Sequence, residues 1–373
     1  MTMLSPVRAA FAVLGRIAPG LAATWALDLF FTPRGRRRSR RLEASLAAAR
    51  RFDVAAGGQR VAGWSWGDGP GVYLVHGWAG VGGQLAAFMP PLLAGGFRVV
   101  TFDAPGHGVS AGRRSSIVHF ADALRQVVAR EGAAHAVIAH SLGAAAAVRA
   151  LVQGLEVRRA VFVGPTGGPR DWSERFRRHL GVPPHVMATM RERSERWLGA
   201  RWEEFDVPAL ARTQSAPLLV FHDRDDAEVP WSDGAAIAGA WPGARLVTTT
   251  GLGHRRILRD ERVVSQAVAF VKGDEVETRG WAAGCGRPGC ENLARDTSLC
   301  ETCALEAWLY VRDERRSAWV TAPQLRAAGA DFGICPAAES EGRHFQPALS
   351  EFPLLHCVLL ASAQLCSRRR QLR

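Results

Sequence analysis

The sequence predicts an α/β fold: a mostly parallel central sheet of about eight strands flanked by helices, with a helical cap inserted over one end and a small C-terminal cysteine-rich appendage. Three observations lead there. From Phe52 to about Lys272, short β-rich runs alternate with longer helix-like ones, the pattern of a parallel sheet covered on both faces. Between Pro165 and Ala216 the chain runs without a strand, far beyond an ordinary connection, so a helical insertion is expected over residues 165–216. Beyond Lys272 the composition changes and paired cysteines appear.

A chain of 373 residues, 47% hydrophobic and 22% charged, has ample material for one large core and an appendage, and the composition excludes a disordered protein. The net charge of +12 comes from a basic set of one lysine, Lys272, and 46 arginines, which reflects genomic base composition more than a phosphate-binding surface. Eight of those arginines lie between Arg34 and Arg51 with one glutamate, Glu43. Such a run is either a solvated linker or an electrostatic contact with an anionic membrane surface or nucleic acid, nucleic acid being the less favoured partner.

Taking the elements in order, Val7–Phe31 is apolar but interrupted by Arg16, Pro19 and Asp28, too broken to span a bilayer. It reads as a helical hairpin, packed on the main domain or lying on a membrane surface. With no A-x-A cleavage site ahead of the arginines, the expected location is cytoplasmic, either free or peripheral to the membrane. Gly57-Gly58 marks a hairpin turn before a strand at Arg60–Trp66. Further strands are expected at Val72–His76, Arg98–Asp103, Ala136–His140, Ala160–Val163, Leu218–His222 and Arg245–Thr249. Helices are expected near Gln84–Ala94, Ser116–Arg130, Ser141–Gln153, Gly234–Ala240 and Glu261–Phe270. The insertion carries Trp172, Phe176, Met187, Met190, Trp197, Trp202 and Phe205, which serve either as helix-packing core or as ligand wall. The resulting organisation is a helical arm and Arg-rich linker over 1–51, a main domain over 52–275, a cysteine cluster over 280–310 and a tail over 311–373 with little to anchor it.

The sharpest local signal is Ala136-Val-Ile-Ala-His-Ser-Leu-Gly143 followed by alanines, a buried strand ending abruptly in a serine at the start of a small-residue helix. That pattern is a nucleophile elbow, in which the turn holds Ser141 in strained geometry and neighbours must be small. Gly143 meets the requirement, and Ala139 stands where a first glycine is commoner. Tyr73-Leu-Val-His-Gly-Trp78 ends an earlier strand beside it, so the amides of Trp78 and Leu142 are the expected oxyanion donors. His76 is read as a brace for that loop and His107, in Asp103-Ala-Pro-Gly-His107, as a turn residue. A serine hydroxyl needs a positioned base and an acid. Gly251-Leu-Gly-His254 supplies the base, and the turn His222-Asp-Arg-Asp-Asp-Ala-Glu-Val-Pro230 supplies the acid, in the chain order serine, acid, histidine.

On these motifs residues ~52–272 resemble the α/β-hydrolase superfamily. The resemblance implies an acid four residues before the proline of the acidic turn, which is Asp226, with adjacent Asp225 as the alternative; Asp223 stands where glycine is usual. It further implies a carboxylesterase or lipase-like serine hydrolase that cleaves a small-molecule acyl ester or thioester through an acyl-enzyme and needs no cofactor for catalysis. A serine rather than an aspartate at the elbow separates the chain from haloalkane dehalogenases and epoxide hydrolases. Trp78, His140, Trp172 and Phe176 are the expected substrate contacts. The competing reading is a non-catalytic protein of this fold that binds or regulates through the basic linker and cysteine cluster.

In that cluster, Cys285-Gly-Arg-Pro-Gly-Cys290 and Cys300-Glu-Thr-Cys303 can wrap one tetrahedral zinc ion in a closed, structural site resembling a short zinc knuckle. Free thiols or adventitious disulfides are the alternative.

Overall fold

A computed structural model describes residues 4–34, 46, 48–277 and 281–282, and the backbone of 311–313 and 318–320. The chain divides into two units, Met1–Cys290 and Glu291–Arg373. In the second unit the described residues form an antiparallel pair, Val311–Asp313 with Ala318–Val320.

The first unit is built on a nine-stranded sheet: β1 Arg50–Ala56, β2 Gln59–Trp66, β3 Gly71–Val75, β4 Arg98–Phe102, β5 Ala134–His140, β6 Val157–Val163, β7 Leu218–Asp223, β8 Arg245–Thr250 and β9 Trp281–Ala282. Their spatial order is β1-β2-β4-β3-β5-β6-β7-β8-β9. The β1–β2 and β2–β4 pairings are antiparallel, and from β4–β3 to β8–β9 every pairing is parallel. The β1–β2 turn is the expected two-residue loop, with positive φ at both Gly57 and Gly58. Strand β1 and the two-residue β9 are additions at the sheet's edges to the strands anticipated one by one.

Alternation along each central strand sends side chains to two cores. Tyr73, Val75, Val137, Ala139, Phe162 and Val220 point to one, while Val72, Leu74, Ala136, Ile138, Val161 and Phe221 point to the other. Since helices cover both faces, β3 and β7 are buried along their whole length, which is why they read as continuous apolar runs.

Two helices start away from their expected positions. The segment expected as a helix from Gln84 begins as a 3-10 turn, Ala86–Phe88, and becomes α-helical only over Met89–Ala94. Pro90 and Pro91 sit in its first turn, where a missing N–H costs no intrahelical bond. The helix expected from Gly234 starts earlier, at Trp231, directly after Pro230.

Between β6 and β7 the insertion folds into Pro169–Leu180, Pro184–Leu198, a 3-10 turn at Trp202–Phe205 and a short helix at Val207–Ala211. The N-terminal apolar segment is a hairpin of α1 (Leu4–Ile17) and α2 (Pro19–Phe31). It packs on that insertion: Phe11, Ala22, Ala26, Leu27 and Phe31 share a core with Val182, Val186, Met187, Met190 and Trp202. Burial of each large side chain there stabilises by about 2 kcal/mol. Polar ties fix the docking, with the His185 ring N–H donating to the Gly15 carbonyl at 2.8 Å and Arg193 to that of Gly20 at 2.7 Å. At the far end of α2, Asp28 accepts from Arg113 and Arg114, and Phe31 O accepts the Ser115 amide at 2.8 Å.

Candidate active site

Strand β5 runs straight into Ser141, which adopts φ 53° and ψ −121° before the helix Leu142–Val152 begins. For a residue with a Cβ this left-handed geometry costs about 1–2 kcal/mol and persists only where the surroundings over-determine it. Here they do. The Ser141 amide donates to Val163 O at 3.0 Å, and the following helix lies so close to β3 that a Cβ on Gly143 would stand 2.5 Å from His76 O and 2.7 Å from Val75 O. The alanines 144–147 are all buried, so a small-residue helix is what permits the approach.

His254 sits in a single helical turn, Gly253–Arg256, just after β8. Its Nδ1 lies 2.6 Å from Asp226 Oδ2. The other oxygen of Asp226 accepts the amides of Glu228 and Val229, both at 2.8 Å, so the carboxylate is held by its own turn. Burial alone would raise its pKa, but the contacts of His222 and His254, the charge on His254 and the Val229 amide hold it well below the usual carboxylate range. An ionised Asp226 is an acceptor for an N–H on His254 Nδ1.

Asp225 faces elsewhere and accepts the Gly251 amide at 2.8 Å. Asp223 is buried, and its carboxylate joins the acid turn to the histidine loop through Thr249 Oγ1 at 2.7 Å, the Leu252 amide at 3.0 Å and the Asp225 amide at 3.0 Å. The carboxylate in place of the usual glycine therefore works as a strut between two loops.

On the opposite side, the His76-Gly77 loop is braced. The Ala104 amide donates to His76 Nε2 at 3.0 Å, the Ala79 amide to His107 Nε2 at 3.2 Å, and the Gly77 amide to Gln84 Oε1 at 2.9 Å. Ala79 itself takes φ 56°. The expected structural roles of both histidines match these bonds.

Ser141, His254 and Trp78 meet at one cavity of about 440 Å³ whose walls also include Leu142, Trp172, Phe176, Trp202 and Phe205. A family profile for the alpha/beta hydrolase family matches residues 72–267, more than half of the chain. The chain belongs to the α/β-hydrolase family. Among solved structures, an esterase from a Rhodococcus species is 20% identical, with 60% of this chain and 99% of that one covered and a TM-score of 0.45. A protein of Mycobacterium tuberculosis is 21% identical over 61% of this chain and 100% of its own, TM-score 0.49, and a hydrolase from Pseudomonas aeruginosa is 22% identical over 61% and 99%, TM-score 0.48. A sequence search of curated proteins finds no match.

Membership of the α/β hydrolases supports hydrolytic activity. Ser141 and His254 line the cavity together with Trp78, Leu142, His140, Trp172 and Phe176, and Asp226 meets His254 at Nδ1. His140, expected to contact substrate, has its ring N–H engaged with the His254 carbonyl at 3.0 Å, so it also anchors the histidine loop. In the cap, the two roles weighed for its apolar residues coincide at Trp202 and Phe176, which line the cavity and pack on the hairpin core. Trp172 and Phe205 also face the cavity, whereas Met187 and Met190 pack against the N-terminal hairpin alone.

Three features of this α/β hydrolase were not foreseen. Leu29, Phe30 and Phe31 of the arm form part of the cavity wall. In the sequence they belong to the apolar segment Val7–Phe31, and no local pattern marks them as cavity wall. Arg175, Glu228 and Arg255 also border the cavity, Arg255 pairing with Glu228 at 2.8 Å. Finally, His222 places Nε2 3.6 Å from Asp226 Oδ2, a second imidazole beside the acid. Among the described residues no cluster of three or more His, Cys, Asp or Glu is arranged to hold a metal ion. Cys285, Cys290, Cys300 and Cys303 lie outside the described residues.

Proposed function

We propose that the chain is a serine hydrolase that cleaves a carboxylic ester or thioester with an apolar acyl or aryl part. The reading is carried by one convergence: a serine in left-handed geometry and a buried His254–Asp226 pair open onto the same aromatic-walled cavity.

Ser141 Oγ attacks the substrate carbonyl carbon while His254 Nε2 takes the hydroxyl proton. The carbonyl oxygen becomes an oxyanion and accepts hydrogen bonds from the amides of Trp78 and Leu142, each such donor being worth about two to three orders of magnitude in rate. Collapse breaks the bond to the leaving alkoxide or thiolate, which receives the proton from His254, and leaves an acyl-Ser141 ester. Water then attacks that ester with His254 again accepting a proton, and the carboxylic acid departs as Ser141 Oγ is reprotonated. Asp226 touches no substrate; it fixes the tautomer of His254 and stabilises the imidazolium formed at each step.

The cavity's volume is in the range of small-molecule sites, and its aromatic wall favours an apolar acyl chain over a charged one. No cofactor enters the chemistry. Turnover of a chain-length series of p-nitrophenyl esters and acyl-CoA thioesters tests the proposal. It predicts hydrolysis of at least one apolar member and loss of that activity in Ser141→Ala. Turnover of none, or activity that survives Ser141→Ala, would overturn it.

A further inference from the structure

The hairpin has two faces of different character. Its inner face is covered by the cap and ends in the cavity-lining residues 29–31. Its outer face is bare. Val13, Ile17 and Leu21 are 56%, 74% and 68% exposed, the three most exposed large hydrophobic side chains among the described residues, and all lie within nine residues around the hairpin bend. Val13 and Ile17 are one turn apart on α1, so they share a face, and Leu21 follows just after Pro19 opens α2. Exposed Ala9 and Ala12 extend the apolar strip.

The charge carried by the hairpin beside this strip is of one sign. Arg8 and Arg16 are exposed beside it, and no acidic residue precedes Asp28, which is itself paired with Arg113 and Arg114. An apolar strip whose own helix carries exposed arginines and no acid complements a surface that is apolar below and negatively charged above. A second copy of the same face would oppose arginine to arginine across a two-fold axis, which is unfavourable. At 14 and 13 residues, α1 and α2 are too short to cross a bilayer, and no described helix is long and apolar enough to do so.

We propose that the outer face of the α1–α2 hairpin docks on anionic phospholipid bilayers, with Val13, Ile17 and Leu21 entering the headgroup–acyl boundary and Arg8 and Arg16 meeting lipid phosphates. The docking stands apart from the catalytic reading, because none of these residues lines the cavity. It has a consequence for that reading: Leu21 and Phe31 lie ten residues apart on one helix, about 15 Å, so the element that meets lipid also walls the cavity.

The test is co-sedimentation of the full chain with vesicles of phosphatidylcholine alone and of phosphatidylcholine with phosphatidylglycerol, across a salt series. The wild type should bind the phosphatidylglycerol vesicles, more weakly as salt rises, and bind phosphatidylcholine poorly. The triple variant Val13→Ser, Ile17→Ser, Leu21→Ser should partition about tenfold or more weakly, and Ile17→Glu alone should act in the same direction. Arg8→Gln with Arg16→Gln should weaken binding and flatten its salt dependence. Near-ultraviolet circular dichroism should be unchanged in each. Binding by the triple variant equal to wild type would overturn the proposal and assign the contact to the arginine run. No vesicle binding by wild type would also overturn it, as would sedimentation velocity showing a lipid-free dimer that the triple variant dissociates.

Discussion

His254 Nδ1 lies 2.6 Å from Asp226 Oδ2, while the neighbouring Asp225 carboxylate turns away to accept the Gly251 amide. Two adjacent acids of like chemistry are thereby given different work. On this geometry Asp226→Asn lowers kcat by about three to four orders of magnitude, since the amide no longer holds the histidine in the reactive tautomer. Asp225→Asn loosens one loop bond and changes kcat by less than about tenfold. Steady-state kinetics on the best ester of the series checks the ranking, and the opposite order would refute the assignment.

The elbow depends on close approach of helix and strand. A methyl group at position 143 would meet the backbone oxygens of His76 and Val75 at 2.5 and 2.7 Å, and neither can move without displacing β3. Gly143→Ala is expected to destabilise by about 1–3 kcal/mol and to depress turnover together with stability. Denaturant unfolding read beside kcat measures both. A variant as stable and as active as wild type would show that the approach is looser than these distances.

These two cases mark how far the sequence could be read. Ser141 and Gly143 were legible because the elbow is local: strand, strained serine and small-residue helix are consecutive in the chain. Asp226 was legible only through a motif's length, since its preference over Asp225 depends on which carboxylate reaches across to a loop 28 residues away. Phe30 and Phe31 were not legible as cavity wall. The partners of Phe30, Phe176 and Trp202, and that of Phe31, Trp197, lie more than 140 residues further on, and nothing in a local pattern tells a helix packed under a cap from one resting on a membrane.

Phe30 offers a direct test of the arm's part in the site. Its ring centroid stands 5.1 Å from that of Phe176 and 5.9 Å from that of Trp202 at the cavity wall. Phe30→Ala enlarges the cavity and should move the preference in kcat/KM toward longer acyl chains, by about tenfold between neighbouring chain lengths. An unchanged chain-length profile would separate the arm from substrate selection.

Stability should fall in mild acid. Burial, with the charges of His254 and His76 respectively, pushes the pKa of His140 and of His107 down to about 3. Both stay neutral in the fold while the unfolded chain binds protons below about 6.5, so the unfolded state holds more protons in that window and stability is lost as pH falls from 6.5 toward 3. At pH 5 each histidine costs about 2 kcal/mol relative to pH 7. His107→Gln should flatten the dependence of denaturant stability between pH 7 and 5. A slope equal to wild type would show that His107 is protonated within the fold.

The central claim is that Ser141 is a nucleophile activated by His254. Labelling with a fluorophosphonate probe measures that most directly, because the probe reacts only with a serine whose proton can be withdrawn. The account predicts labelling of the native wild-type chain, its loss in Ser141→Ala and a strong reduction in His254→Ala. No labelling of the folded wild type, or labelling that persists in Ser141→Ala, would contradict it.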